Sequence, residues 1–251
     1  MAHLPTSLLY LEDMHSVEGT AQVQAVESAD GGKTAIVLDR TIFYPQGGGQ
    51  PFDTGEIALS DGTAAFEVLE VRMREGGIVH HIGAFKRGVF PAGAEVVVHV
   101  DAARRMLNSR LHTAGHLMDA ALRNIGRFML PGKGYHYPVG AYVEYEGIIP
   151  EGEREKIRAD LENETDRLIA AGYAVRIVNA TKEEVGGLCG FCPEYVNAMP
   201  AGAPVRVVFV GEGYGCPCGG THVKDVKEID RLTIAKIAVK GGKTRVSYSV
   251  E

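Results

Sequence analysis

The sequence predicts two domains: an all-β domain over residues 1–100, a small barrel or sandwich, and an α+β domain over residues 101–251, with helices on an antiparallel sheet. Three observations carry this reading. Short β-rich runs punctuated by Gly and Pro fill the first hundred residues. A helical period begins abruptly after Asp101. The chain closes on two β-like runs around Lys240-Gly241-Gly242-Lys243, a hairpin pattern.

The elements follow in order. AQVQAVES and KTAIVLD flank Asp30-Gly31-Gly32 and read as a hairpin. GEIAL, AAFEVLEVRM, GIVHHIG and AEVVVHV continue the β pattern, separated by Asp61-Gly62, Gly76-Gly77 and Pro91-Ala92-Gly93. From Asp101, a good N-cap, Leu107, Leu111, Ala114, Met118 and Leu122 recur at helical spacing, and Gly126 is the expected stop. A second helix is predicted from about Pro150 to Gly172, with Glu151 and Glu153 early and Leu161, Leu168 and Ile169 on its apolar side. Thr181 and Glu184 fit a capping box for a short third helix. AVRIV and PVRVVFVG read as further strands.

A hydrophobic content of 45% and a charged content of 23% fit a soluble globular protein. No apolar run approaches the roughly 18 residues that span a bilayer. The start, MAHLPTSLLYLEDM, lacks a basic region and meets acids at once, so a secretory signal is not expected and a cytoplasmic location is. The four cysteines then favour metal ligands or free thiols over disulfides. Residues 1–100 carry 13 acids and 6 basic residues, while residues 101–251 carry 19 acids and 20 basic residues. That balance excludes a protein that coats nucleic acid through bulk charge and leaves the second half as the better local RNA surface.

Two residue pairs suggest a metal. His112 and His116, four apart on a predicted helix, project from one face, with the small segment Thr113-Ala114-Gly115 between them. Cys218 and His222 enclose Gly219-Gly220-Thr221, and two glycines let a thiolate and an imidazole turn toward one point. Three imidazoles and one thiolate make a plausible tetrahedral zinc site. The competing assignment is a four-thiolate site from Cys189, Cys192, Cys216 and Cys218, which would leave the three histidines unemployed. A redox role for the Cys189/Cys192 pair lacks the βαβ context such pairs usually have.

The other unusual segment is Thr41-Ile42-Phe43-Tyr44-Pro45-Gln46-Gly47-Gly48-Gly49-Gln50-Pro51. Gly47, Gly48 and Gly49 expose backbone N–H groups and permit close approach of a ligand, or else make a tight corner between strands. No Gly-Lys-Ser/Thr follows, so it is not a nucleotide-phosphate loop of the Walker kind.

Three segments together, FYPQGGGQPFDTG at 43–55, RLHTAGHLMDAAL at 110–122 and CGGTHV at 218–223, resemble the editing part of alanyl-tRNA synthetase and its freestanding relatives, the AlaX-type alanyl-tRNA editing proteins. The likeness covers nearly the whole chain, and 251 residues leave no room for adenylation or anticodon-reading regions. It implies a β-barrel-like domain ahead of a zinc-bearing α+β domain of the threonyl/alanyl-tRNA synthetase editing kind. It implies hydrolysis of the ester joining serine or glycine to the 3′ end of alanine tRNA. The zinc ligands it implies are His112, His116, Cys218 and His222, with the glycine-rich segment and Gln50 approaching the same cleft. Relatives commonly carry an acid and an apolar residue before the CGGTH cysteine, where this chain has Cys216-Pro217.

Within that reading Gln50 and Thr221 are candidate catalytic residues, and Gly47, Gly48, Gly49 and His136 are candidate substrate contacts. Mischarged alanine tRNA is the expected partner. Lys133, Arg104, Arg105, Arg110 and Arg123 are candidate phosphate contacts. Threonyl-type editing and a non-catalytic zinc-stabilised RNA-binding module are the alternatives.

Overall fold

The computed structural model describes residues 4–200 and 202–251, so the first three residues of the segment read for a secretory signal lie outside the described residues. The chain divides into two compact units, one ending at Leu107 and one beginning at Asn108. Each is described by itself.

The first unit contains β1 (Ser7–Leu8), β2 (Glu18–Ser28), β3 (Thr34–Leu38), β4 (Arg40–Thr41), β5 (Gly55–Ala58), β6 (Ala65–Arg74), β7 (Ile78–Arg87) and β8 (Glu95–Val100). Six of these close a barrel in the order β2-β3-β7-β6-β5-β8, every neighbour antiparallel, with β2 against β8 from Glu18↔His99 to Gln22↔Glu95. Closure removes free sheet edges, so the all-β half is a barrel and not a sandwich. Alternation along the strands sends Val23, Ile36, Leu38, Phe66, Val68 and Val98 into one core. Backbones crowd where β6 meets β7. A Cβ at Gly83 would stand 1.8 Å from the Glu67 carbonyl oxygen, so only glycine fits.

A buried ion pair fastens this unit. Arg105 and Asp53 are 3% and 0% exposed, and the guanidinium also donates to the Met14 and Ile42 carbonyls while Tyr44 N donates to Asp53 Oδ2. Arg105 is therefore a structural cation and not a phosphate contact, a correction that follows from its burial.

The division falls within α1 (Ala102–Asn124). Asp101 Oδ1 accepts from Arg104 N at 3.0 Å, the expected cap. At the other end Gly126 N donates to Arg123 O and Arg127 N to Leu122 O, with Gly126 at φ 77°, a Schellman stop. Next come β9 (Pro131–Tyr135), β10 (Tyr142–Glu146), α2 (Glu151–Ala171), β11 (Arg176–Ala180), α3 (Lys182–Cys189), α4 (Glu194–Asn197), β12 (Val205–Phe209), β13 (Cys216–Pro217), β14 (Leu232–Lys240) and β15 (Lys243–Val250). They form two antiparallel sheets, β14-β15-β10-β9 and β11-β12-β13. Tyr145 of β10 and Tyr248 of β15 tie the first sheet to α1 through Asp119 and the Leu111 carbonyl. α2 covers β14 with Leu161 and Leu168 inward, and Glu162 accepts from Ile234 N. α3 starts on the predicted capping box of Thr181 and Glu184 and packs Val185 and Cys189 against Val205, Val207 and Phe209.

Candidate metal centre

The first two donors ride on α1. Leu111, Ala114, Leu117 and Met118 bury the helix, which fixes the face from which His112 and His116 project. The second two follow β13. Cys218 N donates to Arg206 O at 2.9 Å, and Arg206 Nη1 returns bonds to the carbonyls of Cys218 (2.7 Å) and Gly220 (3.0 Å). Arg206 on β12 thus pins the Cys-Gly-Gly turn, and Gly220 N donates to Cys218 Sγ at 3.3 Å.

The donor atoms of His112, His116, Cys218 and His222 all lie within 4.8 Å of one another. Cys218 Sγ is 3.4 Å from His112 Nε2 and 3.5 Å from His222 Nε2. The hydrogen-bond network sets the tautomer of His222. Thr113 Oγ1 donates its single proton to Ser109 O at 2.7 Å, so it accepts from His222 Nδ1 at 3.2 Å. That leaves the Nε2 lone pair toward the sulfur, the arrangement a metal-binding imidazole needs. Val223 N donates to the same hydroxyl, fixing the turn.

Burial keeps the imidazoles neutral, the form whose nitrogen lone pairs can ligate a metal. Burial, then neighbouring His136, His222 and His116 and finally Arg206, hold His112 well below the ordinary histidine range. Burial and Arg206 lower His116 to about 4. Burial raises the Cys218 thiol, opposed by the Gly220 N–H and Arg206. The four residues could hold a metal ion. Cys216 is outside this group, as are Cys189 and Cys192, and all four cysteines are free thiols.

His136 joins the cluster as a second layer. Its ring stacks on His112 at 4.5 Å and 22°. Tyr248 OH donates to Leu111 O at 2.8 Å, so it accepts from His136 Nδ1 at 2.6 Å. Burial depresses His136 to about 3. Two glycines make the slot: a Cβ at Gly115 would meet His136 Cε1 at 2.5 Å, and one at Gly134 would meet Nε2 at 2.3 Å. Thr221 is fully buried and its hydroxyl meets Ser109 Oγ at 2.8 Å.

The glycine-rich segment lies in the first unit. Gln50 N donates to Gly47 O at 2.8 Å and Gly47 N to Gln50 O at 3.3 Å, closing a tight turn with Gly48 and Gly49 at φ 54° and 79°. Tyr44 OH braces it through Gly47 O. Gly47 and Gly48 are exposed, Gly49 is half-buried and Gln50 is buried. Of the candidate phosphate contacts, Arg110 also has an internal role, donating to the Ile229 and Glu251 carbonyls. Arg104 is partly engaged by Phe52 O, while Lys133 is exposed. Sequence reasoning missed Arg206, Tyr248, Tyr145 and Asp119. Only Asp119 left a signal, as a lone acid inside HLMDAAL.

Residues 10–104 match the family model described as tRNA synthetases class II (A), and residues 205–246 match the threonyl and alanyl tRNA synthetase second additional domain. The chain is 31% identical over 249 residues to the alanyl-tRNA editing protein AlaX-M of Methanosarcina barkeri, covering 97% of this chain and 98% of that one. It is 30% identical over 240 residues to AlaX-L of Pyrococcus horikoshii, covering 92% of this chain and 54% of that one. It is 33% identical over 220 residues to an alanine–tRNA ligase of Methanothrix thermoacetophila, 86% of this chain but 23% of the ligase. The chain spans about a quarter of the ligases it matches.

Proposed function

The chain belongs to the AlaX-type family of alanyl-tRNA editing proteins, and from that premise we propose that it is a zinc-dependent aminoacyl-tRNA deacylase. It hydrolyses the ester joining serine or glycine to the 3′ end of alanine tRNA, in the cytoplasm. The observation that carries this reading is the convergence of His112, His116, Cys218 and His222. With Zn–N near 2.0–2.1 Å and Zn–S near 2.3 Å, a tetrahedron has N···S edges of roughly 3.5 Å. The sulfur-to-nitrogen separations of 3.4 and 3.5 Å fit that edge, and three imidazoles with one thiolate suit zinc.

When bound there, zinc supplies a Lewis acid that polarises the ester carbonyl or lowers the pKa of water. The chain's own residues orient and exclude. Thr113 holds His222 in its Nε2-free tautomer, Arg206 holds the thiol-bearing turn, and His136 stacks behind His112. An aminoacyl ester is already activated, so positioning is most of the work. Gln50, Thr221 and the turn Gly47-Gly48-Gly49 are proposed to contact substrate or water.

The test is deacylation of Ser-, Gly- and Ala-charged alanine tRNA by wild type, His116→Ala and Gln50→Ala, with zinc measured in each protein. Wild type is expected to cleave the seryl ester, and His116→Ala to lose both zinc and activity. Cleavage of none of the three esters by zinc-loaded wild type overturns the assignment. A serine-charged threonine tRNA arm distinguishes threonyl-type editing, and tRNA binding without cleavage marks the non-catalytic module.

A further inference from the structure

A small pocket lies beside the ligand cluster, with His116 in its wall and Asp119, Arg123, Tyr214 and Cys216 around it. Asp119 is three residues beyond His116 on α1, a spacing that brings side chains together on one helix face. Asp119 is itself partly buried, with its side chain in the pocket wall.

Little in the fold satisfies that carboxylate. Tyr145 OH donates to Oδ1 at 2.7 Å, its one hydrogen bond among the described residues. Arg123, one turn further on, is engaged elsewhere: its guanidinium lies over the Tyr214 ring at 5.1 Å and the Phe128 ring at 5.8 Å, and it forms no ion pair among the described residues. An ionised carboxylate has about four acceptor sites. Asp119 therefore brings spare acceptor capacity to the pocket. Burial, opposed by Tyr145 and Arg123, raises its carboxyl to about 7, while the residue stays partly exposed to the pocket.

We propose that Asp119 is the specificity-determining residue of the deacylation, accepting a hydrogen bond from the side-chain hydroxyl of a seryl ester seated beside His116. This rests on the editing reading of the His112–His116–Cys218–His222 cluster. The α-ammonium is common to seryl, glycyl and alanyl esters, so a contact to it selects nothing. The hydroxyl is the one polar group that separates serine from alanine. An alanyl methyl placed in the pocket displaces water from Asp119 and leaves the carboxylate unpaired, the asymmetry by which polar pockets reject analogues. A glycyl ester has no side chain and leaves the pocket to water, so it is admitted without being read.

The experiment is kcat/KM on Ser-, Gly- and Ala-charged alanine tRNA for wild type, Asp119→Ala and Asp119→Asn, with zinc content and thermal midpoint measured for each. Asp119→Asn retains an acceptor for Tyr145 OH, so it reports on the site if the alanine variant folds poorly. The Ser/Gly ratio is expected to fall roughly tenfold to a hundredfold in Asp119→Ala, the range for a hydrogen bond to a charged group. Gly hydrolysis and zinc content are expected to stay at the wild-type level. Equal loss on seryl and glycyl esters at full zinc occupancy overturns the proposal, because Asp119 then serves the ammonium or the fold. An unchanged ratio in both variants overturns it as well. Failure of wild type on every ester is a different result, since it removes the editing reading before any variant is compared.

Discussion

Replacing Gly115 by alanine tests whether the stacked histidine layer supports the metal cluster. The new Cβ would stand 2.5 Å from His136 Cε1, 2.8 Å from Nδ1 and 3.2 Å from Tyr248 OH. The first contact is 0.9 Å inside the 3.4 Å at which ordinary contact begins. The ring has no room to retreat, since Gly134 already approaches its Nε2 side too closely to carry a Cβ. Two terms oppose each other. Alanine in a helix interior gains about 0.8–1 kcal/mol over glycine. Overpacking a filled site costs about 1–3 kcal/mol. The net is a loss of about 0–2 kcal/mol, read by urea unfolding of the metal-free protein. Zinc affinity is the sharper readout, because the clash breaks the stack on His112 and the His136–Tyr248–Leu111 hydrogen-bond chain. Outer-layer changes of this kind typically weaken metal binding by about 10–100-fold, and chelator competition measures it. A variant that gains the full helix increment and binds zinc as wild type refutes the reasoning.

Zinc binding near pH 7 is expected to release about one proton per ion, because the Cys218 thiol is raised while His112 and His116 are already neutral. Calorimetry in buffers of different ionisation enthalpy reads this, and zero release would show that Cys218 is not the displaced acid. Asp119 has the opposite linkage to an ordinary ion-paired carboxylate. Its folded pKa of about 7 lies above the ordinary aspartate value of 3.8, so the native state holds more protons than the unfolded one between those values, and stability falls as pH rises through the window. Asp119→Asn should therefore be more stable than wild type at pH 8, on the order of 1–3 kcal/mol, and nearly equal to it at pH 4. Parallel urea midpoints across that range would contradict the burial argument. In the barrel unit, Asp53→Ala strands the Arg105 guanidinium and should cost about 3–5 kcal/mol. A loss below about 1 kcal/mol would mean that water or another acceptor replaces the carboxylate.

Much of the fold was readable because its signals are local. The β runs with Gly turns became barrel strands, and α1 starts at Asp101 and stops through Gly126 as its caps require. The strand pair β9 and β10 was not read, since Pro131-Gly132-Lys133-Gly134-Tyr135 looks like loop until its glycines are seen making room for His136. The single expected antiparallel sheet is two sheets, because pairing partners are a long-range property that periodicity does not encode. The four clustered donors followed from spacing and resemblance. Their support did not: Arg206, Tyr248 and Tyr145 are ordinary strand residues until the chain brings them to the site. Arg105 and Arg110 read as surface cations because charge on a helix usually is solvated, and the local sequence carries no mark of the acceptors that bury them.

The two ligand pairs lie far apart in the chain, with Cys218 106 positions after His112. At about 5–20 residues per second, the histidine pair leaves a ribosome roughly 5–20 s before the thiol. Through that interval α1 carries half a site, two imidazoles one turn apart that copper or nickel would occupy more tightly than zinc. Arrival of the sulfur and of His222 completes the four-donor set. Under the proposed assignment, metal loading is thus a late event of biosynthesis that waits for the last quarter of the chain.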